Sequence, residues 1–540
     1  MNQFSPQQPT NPAQSMEGTL DVTASLVQTS LDQFPTNPTE QIPGTGAPQQ
    51  QQQAQFQQPV AQQTQQQPVT QTQRVQAGQF QEGQQRQQQP GAQKQTHQDT
   101  FLPLRPKTLK ETKLTKNDMG PLLLKFLFLH GVQSGHRIAD QVKLPFDVVE
   151  PILQALKADM LVGLKAAAVA NDYMFELSPK GIEQAKMHLE RSTYCGSAPV
   201  SLQEYRNAVL RQSLKNSKPT FEKVADALSD LVISKMMINQ LGQAISSGKS
   251  MFLYGEPGNG KSSIARRAIH AIGEHIWIPR AITIGGEIVR LYDPSLHVAR
   301  PLPNTVGIMK DTQFDDRWVR IERPCISVGG ELTLSHLEAS VNPVTGIIEA
   351  PVHVKSNGGC LIVDDFGRQQ ISSTELLNRW IVPMETGNDF LTLPSGRQVS
   401  LPFEQLLIFS TNLEPRDLCD EAFLRRIPYK VEVFDPTESQ YRRLFANLCQ
   451  KYGVQTRAEV IDYLIEYHYK RVDRPFRFCH VDDLLQQARD FCEFHNKEWT
   501  FTKEIAELAC LNYFSGMKYD KASPPTTNVS PKSHPQTRQS

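Results

Sequence analysis

Between positions 255 and 263 the chain reads GEPGNGKSS, residue types and a spacing suited to holding phosphate. Gly255, Gly260, Lys261 and Ser262 satisfy the pattern G-x-x-x-x-G-K-[ST]. Gly255, Gly258 and Gly260 let the backbone take positive φ and bring N–H groups against phosphate oxygens, where a Cβ would obstruct. Lys261 offers a mobile cation to the β- and γ-phosphates and Ser262 a hydroxyl to Mg²⁺, while Glu256, Pro257, Asn259 and Ser263 complete the loop. A helix opening here points the positive end of its dipole at the same phosphates. The expected ligand is ATP with Mg²⁺.

Two further stretches end apolar runs in polar groups. In GGCLIVDDFGRQQ a strand over 361–363 terminates in Asp364 and Asp365. An acidic pair at the carboxyl end of a buried strand suits a nucleotide site. Asp364 is placed to hold Mg²⁺ through water, and Asp365 to orient and deprotonate an attacking water. LLIFSTN is another buried strand, ending in Thr411 and Asn412; the Asn412 amide, beside Asp364 in a parallel sheet, would hydrogen-bond the γ-phosphate or the lytic water. Arg425 and Arg426, adjacent in DEAFLRRIPYKVEV, read on their own as a solvated helix end.

The elements that must position these groups show as periodicities. MFLY, from Met251, is the strand ahead of the loop, and a helix over roughly 262–275 follows it. A preceding helix turns Met237, Ile238, Leu241 and Ile245 toward the sheet. Beyond the loop helix, the segments up to Gly358 suggest short strands and turns, and 389–403 a hairpin turning at Pro394 to Gly396. At Asp435 and Pro436 the pattern shifts to all-helical and stays so to about Tyr519, marking a domain boundary.

Residues 105–195 read as three helices, two strands around a short wing, and a closing helix started by Ser178 and Pro179. That order resembles a winged-helix domain. Its third helix carries Asp147, Glu150 and Asp159 against Lys157, a surface that would repel duplex DNA, so a protein-docking or spacer role is expected and nucleic acid is not an expected partner. The stretch 196–220 reads as a linker.

Over the 540 residues, 56 Lys and Arg balance 56 Asp and Glu, so no global field draws the chain to polyanions. Residues 1–104, rich in Gln, Pro and Thr, cannot bury enough apolar surface to offset chain entropy and read as disordered, as do 520–540. The eight cysteines form no C-x-x-C pair, which argues against a zinc site or a disulfide framework. The N-terminus lacks the basic-then-apolar order of a signal peptide, and the longest apolar run, 122–132, is too short to span a bilayer; the expected location is the cytoplasm.

With these motifs in this order, 221–519 resembles an AAA+ ATPase module. The fold class implied is α/β: a P-loop NTPase AAA+ core with a parallel sheet (221–434) and a C-terminal helical lid (435–519), preceded by the small winged-helix-like α+β domain and the Gln-rich tail. Under this resemblance GEPGNGKS is the Walker A loop, LIVDDF the Walker B strand with Asp364 on the metal, and STN the sensor 1 region with Asn412. DEAFLRRI is similar to the arginine-finger segment, so that Arg425 and Arg426 reach the γ-phosphate held by a neighbouring subunit. Leu231 to Ile233 lie along the adenine by the same analogy, with simple packing as the competing account.

The resemblance implies an ATP-hydrolysing homo-oligomeric ring, a hexamer, that remodels a protein partner. A DNA-associated ATPase or regulator using the winged-helix-like domain, and a nucleotide-gated scaffold with little turnover, stand as alternatives. Two positions depart from the family pattern. The second Walker B carboxylate is Asp365 where Glu is usual, and Asp482 in FRFCHVDDLL stands where the lid usually supplies an arginine, with Arg477 nearby.

Overall fold

The computed structural model describes residues 101–168, 172–302 and 314–515. The disorder expected of 1–100 and of the tail at 520–540 lies outside these residues. Residues 101–104, grouped with the tail on composition, belong instead to the fold: Phe101 packs on Trp318 with ring centroids 5.0 Å apart, and Leu104 bridges Phe314. Two apolar side chains at the end of a polar run are enough to anchor it.

The N-terminal part comprises helices α1 (Lys116–His130), α2 (Gly135–Val142), α3 (Phe146–Ala158) and α4 (Pro179–Arg191). Strands β1 (Gln133–Ser134), β2 (Val162–Ala168) and β3 (Asp172–Leu177) form an antiparallel sheet of order β1-β3-β2. Thr115 and Asp118 close a capping box at the start of α1, and the Ser178 hydroxyl caps α4. Leu123, Ile138, Val149 and Leu153 are buried where the helices meet.

Between this part and the core, 196–220 departs from the linker expected of it. It holds β4 (Val200–Ser201) and α5 (Leu202–Arg211), with Tyr205, Ala208 and Val209 buried on one helix face. The charges that suggested a linker occupy the opposite face of a short amphipathic helix.

The core then runs through α6 (Phe221–Ala227), α7 (Lys235–Ser247), β5 (Met251–Tyr254) and α8 (Lys261–Ala268). The helix after the loop is shorter than expected: a 3₁₀ turn over Ile269–Ile272 and Gly273 at φ 132° redirect the chain before 275. Strands β6 (His275–Pro279), β7 (Ala281–Ile284), β8 (Glu287–Arg290), β9 (Trp318–Glu322), β10 (Cys325–Val328), β11 (Ser340–Val341) and β12 (Ile348–Glu349) follow, then the single turn α9 (Val352–Lys355). Next come β13 (Cys360–Val363), α10 (Ser373–Thr386), the hairpin β14 (Asn388–Thr392) and β15 (Gln398–Pro402), β16 (Leu406–Thr411), α11 (Pro415–Leu418), α12 (Glu421–Arg426) and β17 (Tyr429–Glu432). Helices α13 (Glu438–Tyr452), α14 (Ala458–His468), α15 (Phe478–Phe494) and α16 (Lys503–Phe514) build the C-terminal bundle.

The central sheet has the order β10-β13-β16-β5-β17, and every neighbouring pair is parallel. Met251, Leu253, Ile362 and Ile408 face α7 and α8, and Phe252, Leu361, Val363 and Phe409 face Trp380 of α10. Burial on both faces explains why these strands are unbroken apolar runs. Of the short strands between α8 and β13, β7, β8, β11 and β12 join β4 in a second sheet of order β11-β12-β8-β7-β4, and β6 and β9 form an antiparallel pair. Tyr205 and Val209 of α5 and Leu391 and Leu401 of the hairpin share one apolar cluster with Ile276, Ile278 and Ile282.

An ion network joins the hairpin to α9 and α10. Asp389 of β14, 2 % exposed, receives the Arg379 guanidinium of α10 at 2.6 Å and lies 2.7 Å from His353 of α9. Burial would raise the Asp389 carboxyl, but the His353 and Arg379 hydrogen bonds outweigh it and hold it well below the ordinary carboxylate range. The stabilisation is therefore complete above the unfolded value near 4 and fades as pH falls toward the depressed native value. Asp389→Asn removes the buried carboxylate from the Arg379 guanidinium, which keeps Glu338 at 3.1 Å, and is expected to cost about 3 kcal/mol in chemical denaturation at pH 7, with a flatter dependence on acid than the parent. A loss below about 1 kcal/mol would show that the network carries no such weight.

Candidate functional site

The carboxyl ends of β5, β13 and β16 lie side by side because the three strands pair in parallel, with Val363 opposite Phe409 and Thr411 opposite Tyr254. The loops leaving them share one edge. After β5 the chain passes Gly255 at φ 130°, where a Cβ would lie 2.5 Å from the Val433 carbonyl oxygen. At Gly258, φ 84°, a Cβ would lie 2.4 Å from the Cys479 sulfur of α15. Both positions exclude any side chain.

Lys261 opens α8 and is 7 % exposed. Its ammonium donates to the carbonyls of Gly255 at 2.9 Å and Glu256 at 3.0 Å and to Asn412 Oδ1 at 2.5 Å. Burial lowers its pKa, while the charges of Asp364, Asp365 and Glu256 act to raise it. Ser262 Oγ donates to Asp364 Oδ2 at 2.6 Å. Asn412 Nδ2 faces Asp365 Oδ1 at 3.4 Å, so one amide joins the lysine to the acidic pair.

The Asp-Asp turn is pinned from several sides. Asp364 N–H donates to the Val328 carbonyl at 2.8 Å, Phe366 N–H to Ser410 at 2.8 Å, and Thr411 Oγ1 to Phe366 at 2.9 Å. Asp365 takes φ 50°, a left-handed conformation that costs a non-glycine residue on the order of 1 kcal/mol and that these bonds enforce. The half-buried Asp364 thus faces the serine, and the exposed Asp365 faces the Asn412 amide.

A cavity of about 600 Å³ extends from this edge to the helical bundle. Its polar end is the glycine loop through Ser263, with Pro257, Asp364, Asp365 and Asn412; its apolar end is Leu231, Val232 and Ile233 with Leu444, Leu448 and Tyr452 of α13. Asn259, 2 % exposed, turns its amide to Asp435 at 2.7 Å. The residues fit a nucleotide with Mg²⁺: a buried ammonium and loop amides at one end, apolar walls at the other, and a serine and a carboxylate 2.6 Å apart as hard oxygen ligands. Among the described residues no three His, Cys, Asp or Glu side chains cluster to hold a metal alone. The cation would rely on phosphate oxygens as well.

Arg425 and Arg426 lie away from this cavity within the chain. Arg426 Nε pairs with Glu385 at 2.5 Å, and Arg425 is exposed with no ion pair among the described residues. The lid contributes groups that motif spacing did not single out: Leu444, Leu448 and Tyr452 recur every fourth residue of α13, a stripe that was the available signal. Asp482 lines the cavity and accepts the Tyr452 hydroxyl at 2.7 Å. The lid guanidinium at the loop is that of Arg477, which meets Glu256 at 3.0 Å and also pairs with Asp435.

A family model described as a domain of unknown function (DUF8689) matches residues 437–512, within the bundle. No curated protein matches the chain. Among solved structures the chain is similar to NtrX from Brucella abortus, at 13% identity over 53% of this chain and 56% of that one, with a TM-score of 0.33. The chain therefore spans little more than half the length of that structure. It is also similar to a RuvB mutant from Thermotoga maritima, at 13% identity over 56% and 72% with a TM-score of 0.30. Domain III of the Thermotoga maritima replication initiation protein DnaA is similar at 12% identity over 53% and 96%, again with a TM-score of 0.30. A helical lid closing on a parallel sheet of order β10-β13-β16-β5-β17, with the phosphate loop after β5, is the AAA+ form of the P-loop fold, and that is the fold of this chain.

Proposed function

We propose that this protein binds ATP with Mg²⁺ and hydrolyses it as a homo-oligomeric ring that remodels a protein partner. One observation carries the reading: Asn412 joins the Lys261 ammonium to Asp365 while Ser262 meets Asp364, so cation, metal ligands and base candidate share one end of the cavity. Bound Mg²⁺·ATP would supply the phosphoanhydride bond and the Lewis acid. The chain's own groups position and stabilise: Lys261 and the loop amides neutralise phosphate charge, Ser262 and Asp364 hold the cation, and Asp365 accepts a proton from water. Leu231, Val232 and Ile233 offer an apolar bed for the base.

The arginines support the ring. Neither reaches the cavity of its own chain, so a catalytic role for Arg425 or Arg426 requires a second copy. The N-terminal part serves as a winged-helix-like docking module for protein. Acidic Asp147, Glu150 and Asp159 on and after α3 oppose DNA binding, and Lys116 is already committed to Asp159. Among the described residues no helix is long and apolar enough to cross a membrane.

Lys261→Ala is expected to abolish ATP binding in equilibrium titration with a fluorescent analogue; unchanged affinity would refute the loop's role. The double variant Arg425→Ala, Arg426→Ala is expected to keep ATP affinity and lose about 10³-fold or more in phosphate release, and full turnover by it would rule out the shared site. Asp365→Glu, one methylene longer, is expected to change turnover without changing affinity. A strong acceleration would identify the native aspartate as a brake and favour the nucleotide-gated scaffold.

A further inference from the structure

Four carboxylates line the cavity, those of Asp230, Asp364, Asp365 and Asp482. Asp364 and Asp365 belong to its phosphate end, where they meet the Ser262 hydroxyl at 2.6 Å and the Asn412 amide at 3.4 Å. Asp230 is held by the Arg267 guanidinium at 2.7 Å. Asp482 comes from the bundle and keeps an oxygen to spare: Oδ1 accepts the Tyr452 hydroxyl at 2.7 Å, and among the described residues Oδ2 has no hydrogen bond or ion pair.

Two neighbours fix where along the cavity that oxygen stands. Cys479 and Asp482 both line the cavity from α15, three residues and thus about 4.5 Å apart along the helix axis. Cys479 marks the phosphate end, since its N–H donates to the Gly258 carbonyl at 2.9 Å and its sulfur is the atom that a Cβ at Gly258 would strike. Tyr452 marks the apolar end, with Leu448 and Leu444 one and two turns before it on α13. Asp482, one turn on from Cys479 and bonded to Tyr452, lies between the two ends. The Tyr452 ring stacks on Trp499 with centroids 5.6 Å apart, which holds the phenol and so the carboxylate in place. The hydrogen bond to Asp482 pushes the Tyr452 phenol above its ordinary value, as an ionised acceptor does.

An ionised carboxylate only accepts hydrogen bonds, and it repels phosphate oxygens. The arginine usual at this position would address phosphate; an aspartate there needs a neutral donor. An adenine nucleotide offers such donors in two places, the 2′- and 3′-hydroxyls of its sugar and the amine of its base. The sugar is the part that lies between phosphates and base, as Asp482 lies between the loop and the apolar wall.

We propose that Asp482 is the sugar-recognising residue of the cavity, its free carboxylate oxygen accepting a ribose hydroxyl, so that the site selects ribonucleotides over nucleotides lacking those hydroxyls. The proposal rests on the nucleotide reading of the cavity. Tyr452 acts as a positioning residue that orients the carboxylate from the other lid helix.

The test uses the full chain and equilibrium titration with three Mg²⁺-bound probes: ADP, 2′,3′-dideoxyADP, and purine riboside diphosphate, which lacks the base amine. Ratios of affinity are compared in the parent, Asp482→Ala and Asp482→Asn, because removing a negative charge near phosphate shifts all three probes together and cancels in the ratio. The parent is expected to bind dideoxyADP about tenfold more weakly than ADP and the purine riboside within about twofold, as loss of one hydrogen bond to a charged group requires. Asp482→Ala is expected to bring the ADP to dideoxyADP ratio to within about twofold of unity, and Asp482→Asn, which keeps a neutral acceptor, to leave an intermediate ratio. A parent that does not distinguish the two sugars, or an Asp482→Ala protein that keeps the parent ratio, overturns the proposal. A preference for the base amine that disappears in Asp482→Ala also overturns it, by turning the carboxylate to the base. Thermal unfolding checks folding, and if Asp482→Ala fails to fold, the near-isosteric Asp482→Asn decides by the same ratio, an unchanged value refuting the proposal. A parent chain that binds none of the three probes refutes the nucleotide reading itself, an outcome distinct from binding without sugar discrimination.

Discussion

A buried ammonium tolerates no unmet donor, and the Lys261 side chain places its hydrogen bonds on two carbonyls of its own loop and on the amide at the end of β16. That constraint shapes the whole edge. The loop must curl back over the lysine, which the positive φ of Gly255, Gly258 and Gly260 permits. Asn412 must stand next to it, which holds only while β16 pairs with β5 in the observed register. A slip of one residue would turn Asn412 to the other face of the sheet and part the lysine from Asp365. Phosphate oxygens offer the same ammonium better acceptors than the carbonyls it now holds, so the loop is arranged around a charge it can surrender.

The β14-β15 hairpin, which shares an apolar cluster with the second sheet, is tied to α9 and α10 through the Arg379, Asp389 and His353 network and to α5 through Asn357, whose amide spans from the Tyr205 hydroxyl at 2.9 Å to the Pro402 carbonyl at 2.8 Å. Arg317, 2 % exposed, binds Asp315 and the Pro199 carbonyl, tying β9 to the strand that enters α5. The N-terminal part joins that sheet by Thr193 N–H to the Thr345 carbonyl and by Ala198 N–H to the Val142 carbonyl, both at 2.8 Å. The bundle meets the loop through the Arg477–Glu256 ion pair at 3.0 Å and through Cys479 N–H, which donates to the Gly258 carbonyl at 2.9 Å.

The phosphate loop, the Asp364 and Asp365 pair and the strand ending in Asn412 were legible because each is local: a glycine spacing, or an apolar run ending in polar residues. The helices of the bundle were legible for the same reason, since amphipathic periods survive without knowledge of partners. The inserted sheet was not. Its strands run from two to four residues and pair across long stretches of chain, β4 with β7 and β12 with β8, so short strands were expected there but no local pattern announces their pairing. The helix Leu202–Arg211 was masked by its own charges until the cluster it covers was in view.

What the sequence by itself determined is the chemistry of the site's phosphate end, because backbone freedom at glycine and charge at lysine belong to residue type. Tertiary structure alone decided which side chains oppose that end. Leu444 and Tyr452 come to the apolar end of the cavity and Arg477 to Glu256 across 221 positions, and the two arginines of α12 fall outside the cavity. Contacts between residues so far apart follow from how parallel strands and a lid pack together, and no spacing along the chain records that packing.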